Sequence, residues 1–285
     1  MHVVDPDTYP LSADAAYIPK THSLAQAQAF ESSLGLHNIV LVQPSIYGTD
    51  NACLLSALHA LGPSRARAVV AFDPASTPEK VLREWHAAGV RGTRVNLLSQ
   101  GGPTPTADEL AAMLRSHADV LRPLGWVLQL YVPLALVDVL EPLIPELGVR
   151  VVIDHMGQPS LPRAAEGGGA AEPPLDPYEL PGFAALVRLL QAGQTFVKLS
   201  APYRISRAAD YGDLEPVAKE LLRVAGRNRV VFATDWPHTR FDGLDIRPWV
   251  DKVFELCGDD AALVDRIFRG NAEDLWDVQP QKAAE

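Results

Sequence analysis

The sequence predicts an α/β protein of the (β/α)8 barrel class, and three observations support this. Short runs rich in valine, isoleucine and leucine recur along the 285 residues, and amphipathic helical segments separate them. The runs are nearly continuous in apolar residues, which is typical of parallel strands covered on both faces. No G-x-G-x-x-G motif follows an early strand, which argues against the rival class, a doubly wound nucleotide-binding sheet.

Eight strands are predicted in chain order. The first is short, only the two valines of the opening MHVVDP, and the eighth is VVFATDW near the C-terminus. The predicted ranges are 3–4, 39–44, 67–73, 90–96, 126–132, 150–155, 195–200 and 230–236. Strand and helix alternate eight times, which is the pattern of a (β/α)8 barrel of about 250 residues, here with a trimmed first strand.

Capping residues mark the predicted helices. The first runs from Ser23, as N-cap, to Gly35, and the next has Thr77 as N-cap, Pro78 at the first helical position and Gly89 at its end. Further helices are predicted at 106–125, 182–194 and 214–226.

One segment interrupts this alternation. Residues 157–182 are dense in proline, glycine and alanine, which predicts a long loop after the sixth strand. In a barrel this loop overhangs the carboxyl-terminal face, and a lid and a disordered insertion remain the alternatives. We expect residues 1–276 to form a single barrel domain and residues 277–285 to form a tail.

Composition narrows the function classes. The net charge of −10 argues against a nucleic-acid partner, which needs a basic footprint, but a local group of arginines can still bind an anion. No apolar run approaches the ~20 residues that span a membrane, and the N-terminus lacks a signal-peptide layout, so we expect a cytoplasmic protein. Cys53 and Cys257 form no C-x-x-C pair and are expected to be small buried hydrophobic residues.

Polar side chains follow seven of the predicted strands. In a barrel the carboxyl ends of all strands meet at one cleft, where catalytic residues are found. A purely structural barrel offers no reason to bring such groups together. In strand order they are His2 and Asp5; Gln43, Ser45 and Tyr47; Arg91, Arg94 and Asn96; Gln129 and Tyr131; Asp154 and His155; Lys198, Ser200, Tyr203 and Arg204; Asp235 and His238.

Asp235 ends an apolar strand, where an unpartnered carboxylate is costly. One interpretation is a helix or turn cap. The other is a catalytic base that works with His155 and His2 on a water-derived nucleophile. Its place beside the first strand of a closed barrel favours the catalytic interpretation.

The remaining polar groups suggest an anionic substrate. Arg94 and Arg204 offer planar guanidinium groups that suit a carboxylate, and Tyr131 and Ser45 can donate hydrogen bonds to a carbonyl. Arg91 is the weaker candidate, because positions 91 and 94 differ by an odd number and lie on opposite faces of a strand. Together these types predict hydrolysis of an anionic carbonyl compound.

The segments VQPSIYGTDN, RGTRVN, VVIDHMG, KLSAPYR and ATDWPH occur in this order at the predicted strand ends. They resemble the amidohydrolase superfamily, and within it the branch of 2-pyrone-4,6-dicarboxylate lactonase and muconolactone-type lactonases, from His2 to about Asn271. The resemblance implies a lactone hydrolase in which Asp235 activates water while His2 and His155 polarise the carbonyl. The substrate contacts that it suggests are Tyr17, Ser45, Arg94, Tyr131, Arg204, His238 and Arg240.

The superfamily usually binds one or two divalent metals through histidines, an aspartate and a fourth-strand lysine or glutamate. Here the fourth strand offers Arg94 and Asn96, and the fifth offers Tyr131 in place of a histidine. The lactonase branch shares this substitution and acts without metal, so we expect no cofactor. The expected partner is a small anionic lactone, and a homo-oligomer is left open.

The chain departs from the family pattern in three places; the first supports an inactive barrel, and the second and third imply a substrate other than the pyrone dicarboxylate. The chain opens MHVVDP where the family has H-x-H-x-x-D-P, so His2 matches the second histidine. Arg240 replaces a substrate-contacting asparagine, and the loop 157–182 is long. A decarboxylase or amide hydrolase of the same superfamily that depends on a divalent metal such as zinc, and a catalytically inactive barrel that binds a ligand, are the alternatives.

Overall fold

The computed structural model describes residues 1–98, 105–162 and 175–278. Within them seven strands form one sheet, ordered as in the chain, and each strand pairs in parallel with the next. The strands are β1 (Ile39–Val42), β2 (Ala66–Val70), β3 (Val90–Asn96), β4 (Val127–Tyr131), β5 (Val151–Ile153), β6 (Thr195–Leu199) and β7 (Val230–Phe232). This confirms the α/β class and the second to eighth predicted strands.

One helix precedes the first strand, and the others separate consecutive strands or follow the last one. They are α1 (Leu24–Ser33), α2 (Ala52–Leu61), α3 (Glu79–Ala88), α4 (Ala107–Leu121), α5 (Val137–Leu140), α6 (Ile144–Leu147), α7 (Phe183–Ala192), α8 (Glu215–Ala225), α9 (Arg247–Cys257), α10 (Ala261–Asp265) and α11 (Asn271–Leu275). Among the described residues no helix is long and apolar enough to cross a membrane.

The predicted first strand is not a strand of the sheet. Val4 forms a single antiparallel bridge with His22, because the turn at Asp5 and Pro6 ends the extended segment after two valines. Met1 and His2, which precede it, still form backbone hydrogen bonds at both edges of the sheet. Val42 N–H of β1 donates to Met1 O (2.8 Å), and His2 N–H donates to Trp236 O beyond β7 (2.8 Å).

The capping predictions are largely confirmed. Ser23 forms a capping box with Gln26 at the start of α1, and Gly89 ends α3 in the left-handed conformation with φ 114°. The prediction for Thr77 is wrong by one residue. Pro78, whose fixed φ allows the extended conformation seen there, occupies the N-cap position, and no side chain caps the helix.

Two apolar clusters flank the sheet. The larger lies between the strands and the helices, and the smaller lies on the inner face of the curled sheet. The inner cluster comprises Val42, Val69, Val127, Val152, Phe196, Val231, Leu275 and Trp276. At Gly92 of β3 a Cβ would stand 2.7 Å from Val127 O and 3.2 Å from the Trp276 ring. Glycine therefore allows Trp276 to pack against the strands.

Parts of two predicted segments lie outside the described residues. In the loop 157–182 they are residues 163–174, so the alternatives of lid and insertion are not addressed, and in the tail they are residues 279–285. Cys53 and Cys257 are free and buried, as predicted.

Candidate active site

A cleft opens at the carboxyl ends of the strands. It is lined by nine of the ten predicted site residues: His2, Tyr17, Ser45, Arg94, Tyr131, His155, Arg204, Asp235 and Arg240. A larger pocket of about 960 Å³ opens at the opposite end, between the starts of β1 and β2 and α11, and contains none of them. The predicted site residues therefore gather in the smaller cleft.

Asp235 lies at the base of this cleft, three residues beyond the end of β7. Its Oδ2 accepts hydrogen bonds from the Tyr203 hydroxyl (2.6 Å) and from Arg204 Nε (3.0 Å). Its Oδ1 lies 3.8 Å from His155 Nε2. The two carboxylate oxygens thus differ, because one is held by two donors while the other faces the histidine and the cleft.

The charges around Asp235 keep it ionised. Burial alone would raise its pKa, but the neighbouring His155 and Arg204 outweigh burial and hold the pKa of the carboxyl far below its usual range. Asp235 is therefore a carboxylate at neutral pH and can accept a proton.

His155 presents a hydrogen-bond donor toward Asp235. Its Nδ1 lies 2.7 Å from Ser200 Oγ, and its Nε2 faces a carboxylate that only accepts hydrogen bonds. These partners assign the proton to Nε2, with the Ser200 hydroxyl donating to Nδ1. Burial lowers the pKa of His155, so the ring is neutral at pH 7.

His2 presents the opposite group. Its Nδ1 lies 2.7 Å from Val42 O, and a carbonyl only accepts, so the proton is on Nδ1 and the lone pair is on Nε2. Burial and the charge of Arg94 lower the pKa of His2 to about 3. A neutral ring with this tautomer accepts a hydrogen bond toward the cleft, which does not suit the polarising role that the resemblance implies.

A second buried carboxylate, Asp154, lies at the end of β5. Lys198 Nζ lies 2.8 Å from its Oδ1, Gln129 Nε2 donates to its Oδ2 (2.8 Å), and Arg94 Nε lies 3.7 Å from Oδ2. Burial would raise the pKa of Asp154, but the charges of Lys198 and Arg94 hold it below its usual value. Both carboxylate oxygens of Asp154 are engaged by these neighbours, so Asp154 stabilises the buried side chains next to the cleft.

Arg94 lies beside Asp154 and also lines the cleft. Its guanidinium lies over the Tyr131 ring (5.4 Å), and Nη1 donates to Gln43 O (3.3 Å). Arg91 pairs with Asp277 (3.6 Å) and is not part of the cleft lining. Of the two arginines, Arg94 therefore lines the cleft and Arg91 does not.

Two loops meet at the mouth of the cleft. Arg240 lies over the Tyr17 ring, with 4.6 Å between the guanidinium carbon and the ring centroid. An ion pair between Lys20 and Asp242 joins the same two loops. Ser45 lines the cleft from the short 3-10 helix that follows β1.

His238 does not line the cleft, which corrects its predicted role as a substrate contact. Its Nε2 donates to Thr234 O (3.1 Å), and its ring packs edge-on against Phe30 and Tyr203. The tight turn after β7 directs this side chain into the protein, so His238 stabilises the turn.

The turns that carry these side chains have an unusual backbone. Nine non-glycine residues of the described chain have positive φ, and seven of them follow β5, β6 or β7. The seven are His155, Met156, Gln158, Ala201, Asp235, His238 and Arg240. Such strain clusters at functional sites when the surrounding structure enforces it, and here it aims the side chains of three adjacent strand ends.

The donor set does not fit a divalent metal. Within the three described ranges, no group of three or more His, Cys, Asp or Glu side chains is arranged to hold a metal ion. Arg94 and Tyr131 stand where the superfamily places ligands, and the positive charge of Arg94 opposes a second cation.

Two residues near the strand ends have partners that sequence reasoning did not assign. Tyr203 and Ser200 contact Asp235 and His155 directly. Their position in the segment KLSAPYR was the available signal, but only the tertiary contact shows which catalytic group each one serves.

The comparisons with known proteins agree on one family. The amidohydrolase family profile matches residues 1–278. A 2-pyrone-4,6-dicarboxylate hydrolase from Comamonas testosteroni is 28% identical over 274 residues, covering 90% of this chain and 83% of that protein. A 4-sulfomuconolactone hydrolase from Hydrogenophaga intermedia is 29% identical over 243 residues, covering 84% and 74%. The solved structure of a candidate 2-pyrone-4,6-dicarboxylic acid hydrolase from Pseudomonas putida superposes with a TM-score of 0.79 at 29% identity, covering 97% and 95%.

Proposed function

Because this chain belongs to the amidohydrolase family, we propose that it is a hydrolase that opens a small anionic lactone with water activated by Asp235. The relatives named as lactone hydrolases support the reaction class. The observation that carries the proposal is the asymmetric carboxylate of Asp235, whose Oδ1 faces His155 while Oδ2 is held by two donors.

The reaction follows from the protonation states of the three groups. The lactone carbonyl oxygen accepts a hydrogen bond from His155 Nε2–H, and a water molecule lies between the carbonyl carbon and Asp235 Oδ1. As the water oxygen bonds to the carbon, Asp235 takes its proton and the carbonyl π electrons move to the oxygen beside His155. Collapse of this intermediate breaks the bond to the ring oxygen, which takes the proton back from Asp235 and yields the ring-opened hydroxy acid.

His2 has a different task from His155 in this proposal. Its Nε2 lone pair accepts the second hydrogen of the attacking water, so that His2 and Asp235 orient the water together. This follows from the bond between His2 Nδ1 and Val42 O and replaces the polarising role.

The cleft contains cations suited to an anionic substrate. Arg94 lies deep in it and Arg240 lies at the mouth, above Tyr17. These guanidinium groups set the local charge against the net −10 of the chain. The reaction is proposed to need no metal, because the positions of expected ligands carry Arg94 and Tyr131.

We also propose that residues 1–4 complete an eight-stranded barrel and that residues 1–276 are one domain. The backbone hydrogen bonds of Met1 with Val42 and of His2 with Trp236 support closure. The family match over residues 1–278 supports the single domain.

The test is turnover by the purified, exhaustively chelated protein. Its substrates are 2-pyrone-4,6-dicarboxylate, 4-sulfomuconolactone and simpler carboxylated lactones. We expect ring opening at an unchanged rate after chelation. Activity that disappears with the chelator and returns with zinc would contradict the metal-free mechanism. Binding of these lactones without any turnover would favour the alternative of an inactive binding protein.

A further inference from the structure

Arg204 lines the cleft, but its guanidinium is hydrogen-bonded to Asp235, the proposed base. Its Nε donates to Asp235 Oδ2 (3.0 Å), and its Nη2 donates to Thr239 O (3.2 Å). The guanidinium lies over the rings of Tyr203 (5.2 Å) and Phe241 (5.5 Å). Arg204 Nε cannot donate the same hydrogen bond to Asp235 and to a substrate carboxylate at the same time.

This ion pair conflicts with the task of a general base. A cation at 3.0 Å from the carboxylate stabilises the ionised form and lowers its affinity for a proton. A general base works best when its pKa lies near the working pH. Arg204, paired in this way, therefore holds Asp235 in a weakly basic state.

Resting on the function proposed above, we propose that Arg204 is a latch that the substrate opens. An anionic group of the bound lactone pairs with the Arg204 guanidinium in place of Asp235. The pKa of Asp235 then rises, and Asp235 becomes a stronger base when the substrate is bound. The number of ion pairs stays constant, because Arg204 exchanges one carboxylate for another. The side chain of Arg204 is 20% exposed, and a guanidinium suits bidentate capture of a substrate carboxylate.

Tyr203 is a positioning residue in this arrangement. Its hydroxyl donates to the same Oδ2 at 2.6 Å, and its ring is packed edge-on against His238 and Phe241. When Arg204 leaves, this bond still fixes the carboxylate, so Oδ1 keeps its orientation toward His155 and the water.

Several titratable groups surround Asp235, but Arg204 has a special position among them. The groups are the amino terminus, His2, Tyr131, His155, Tyr203, Arg204 and His238. Burial lowers the pKa of all three histidines, so they are neutral at pH 7. Within the described part of the chain, Arg204 is thus the permanent cation in direct contact with the carboxylate.

The kinetic test compares a lactone that carries a free carboxylate with its neutral methyl ester. For the wild type we expect the acid limb of kcat to lie at higher pH for the carboxylate substrate than for the ester. We also expect kcat for the ester to be about 10²-fold lower, the size of effect expected for an impaired general base. In Arg204→Gln the acid limbs should coincide and the advantage of the carboxylate in kcat should disappear. The same acid limb for both substrates in the wild type, or a preserved difference in Arg204→Gln, overturns the latch.

Two further variants separate the latch from general damage. Arg207→Gln removes an exposed charge from the same loop, where Arg207 contacts Pro162 O and not the site, and it should behave as wild type. Tyr203→Phe should lower kcat for both substrates by a similar factor and keep the difference between their pH profiles. Loss of that difference in Tyr203→Phe would make Tyr203, and not Arg204, the group that senses the substrate.

A measurement independent of turnover distinguishes failure of the latch from failure of the proposed function. Benzene-1,3-dicarboxylate carries two carboxylates on a six-membered ring and cannot be hydrolysed. In a crystal structure with this probe we expect Arg204 on a probe carboxylate and Asp235 Oδ2 bonded to Tyr203 alone. Arg204 still bonded to Asp235 beside the bound probe overturns the latch. If the wild type opens no lactone but Arg204 moves, the proposed function fails and the latch stands.

Discussion

Two largely buried aspartates follow strands on either side of β6, Asp154 after β5 and Asp235 after β7, and they have opposite surroundings. Asp154 has both oxygens engaged, by Lys198 on Oδ1 and by Gln129 and Arg94 on Oδ2. Asp235 has only Oδ2 engaged by close donors, and its Oδ1 faces His155 across 3.8 Å.

The difference shows that burial and a lowered pKa do not by themselves identify a catalytic carboxylate. Both groups are buried and both have pKa values below the usual range. What separates them is the oxygen left facing the cleft. Asp154 neutralises cations inside the protein, whereas Asp235 has an atom available to take a proton from water.

The largest expected effect on stability comes from Asp154→Asn. The change leaves the charge of Lys198 buried without its partner, and breaking a buried pair in this way costs about 3–5 kcal/mol of unfolding free energy. Urea unfolding measures it. The double variant Asp154→Leu with Lys198→Met should recover much of the loss. A variant that keeps wild-type stability but loses turnover would place Asp154 in the chemistry.

The next effect concerns the pH dependence of stability and His2. The folded pKa of about 3 lies below the ordinary 6.5, so the unfolded state binds the proton first. The contribution of neutral His2 is full above pH 6.5 and is lost as pH falls towards 3, with a slope of up to about 1.4 kcal/mol per pH unit. Asp154 and Asp235 lose their contributions only at lower pH, because their pKa values are lowered.

Unfolding free energies measured between pH 6 and 4 test the contribution of His2 separately from those of Asp154 and Asp235. In His2→Gln the slope should be smaller than in the wild type by about one proton, which is about 1.4 kcal/mol per pH unit. The exposed His37→Gln serves as the matched control and should keep the wild-type slope. An unchanged slope in His2→Gln would show that His2 is not held neutral by the fold.

A smaller effect is expected for Ser200→Ala. Without the hydroxyl, His155 Nδ1 loses its partner at 2.7 Å, and the tautomer with the proton on Nε2 is no longer favoured. We expect kcat to fall about tenfold, less than the ~10²–10⁴-fold contribution of a complete acid–base group, with little change in KM. Nitrogen NMR of His155 reports the tautomer directly, and Ser200→Thr should restore it. A wild-type tautomer in Ser200→Ala would contradict the assignment.

The smallest effect is expected at the mouth of the cleft. Arg240→Gln removes an exposed cation that lies over Tyr17, and such contacts contribute about 1 kcal/mol or less. KM for an anionic lactone should rise several-fold while kcat stays unchanged. Lys20→Gln, at the neighbouring ion pair, is the control and should leave KM unaltered. A fall in kcat for Arg240→Gln would place Arg240 beside the reacting atoms.

Much of the fold was predictable because the apolar strands and capped helices leave local signals. The seven paired strands follow from runs such as IVLV and VVIDH, which parallel packing requires to be apolar. The two valines at 3–4 form no ladder with the sheet, and the contacts of Met1 with Val42 and of His2 with Trp236, far away in the sequence, decide how this segment meets the strands.

The site was predictable as a set of residues but not as a set of roles. Strand-end positions identified seven of the cleft residues, because a barrel topology converges those ends, and Tyr17 and Arg240 were suggested only by the family resemblance. The tautomers of His2 and His155 depend on Val42 O and Ser200 Oγ, which lie 40 and 45 residues away. Likewise, the pairing of Arg204 with Asp235 and the inward turn of His238 are tertiary outcomes that no local pattern encodes.

The most direct test of the contrast between the two aspartates is Asp235→Asn, measured for turnover and for thermal unfolding in the same preparation. An asparagine keeps the shape and the contact with Tyr203 but cannot take a proton. We expect a folded protein with a melting temperature near that of the wild type and a kcat reduced at least about 10²-fold, as for loss of a general base. A variant that melts early yet keeps its turnover would contradict the account and make Asp235, like Asp154, a structural group.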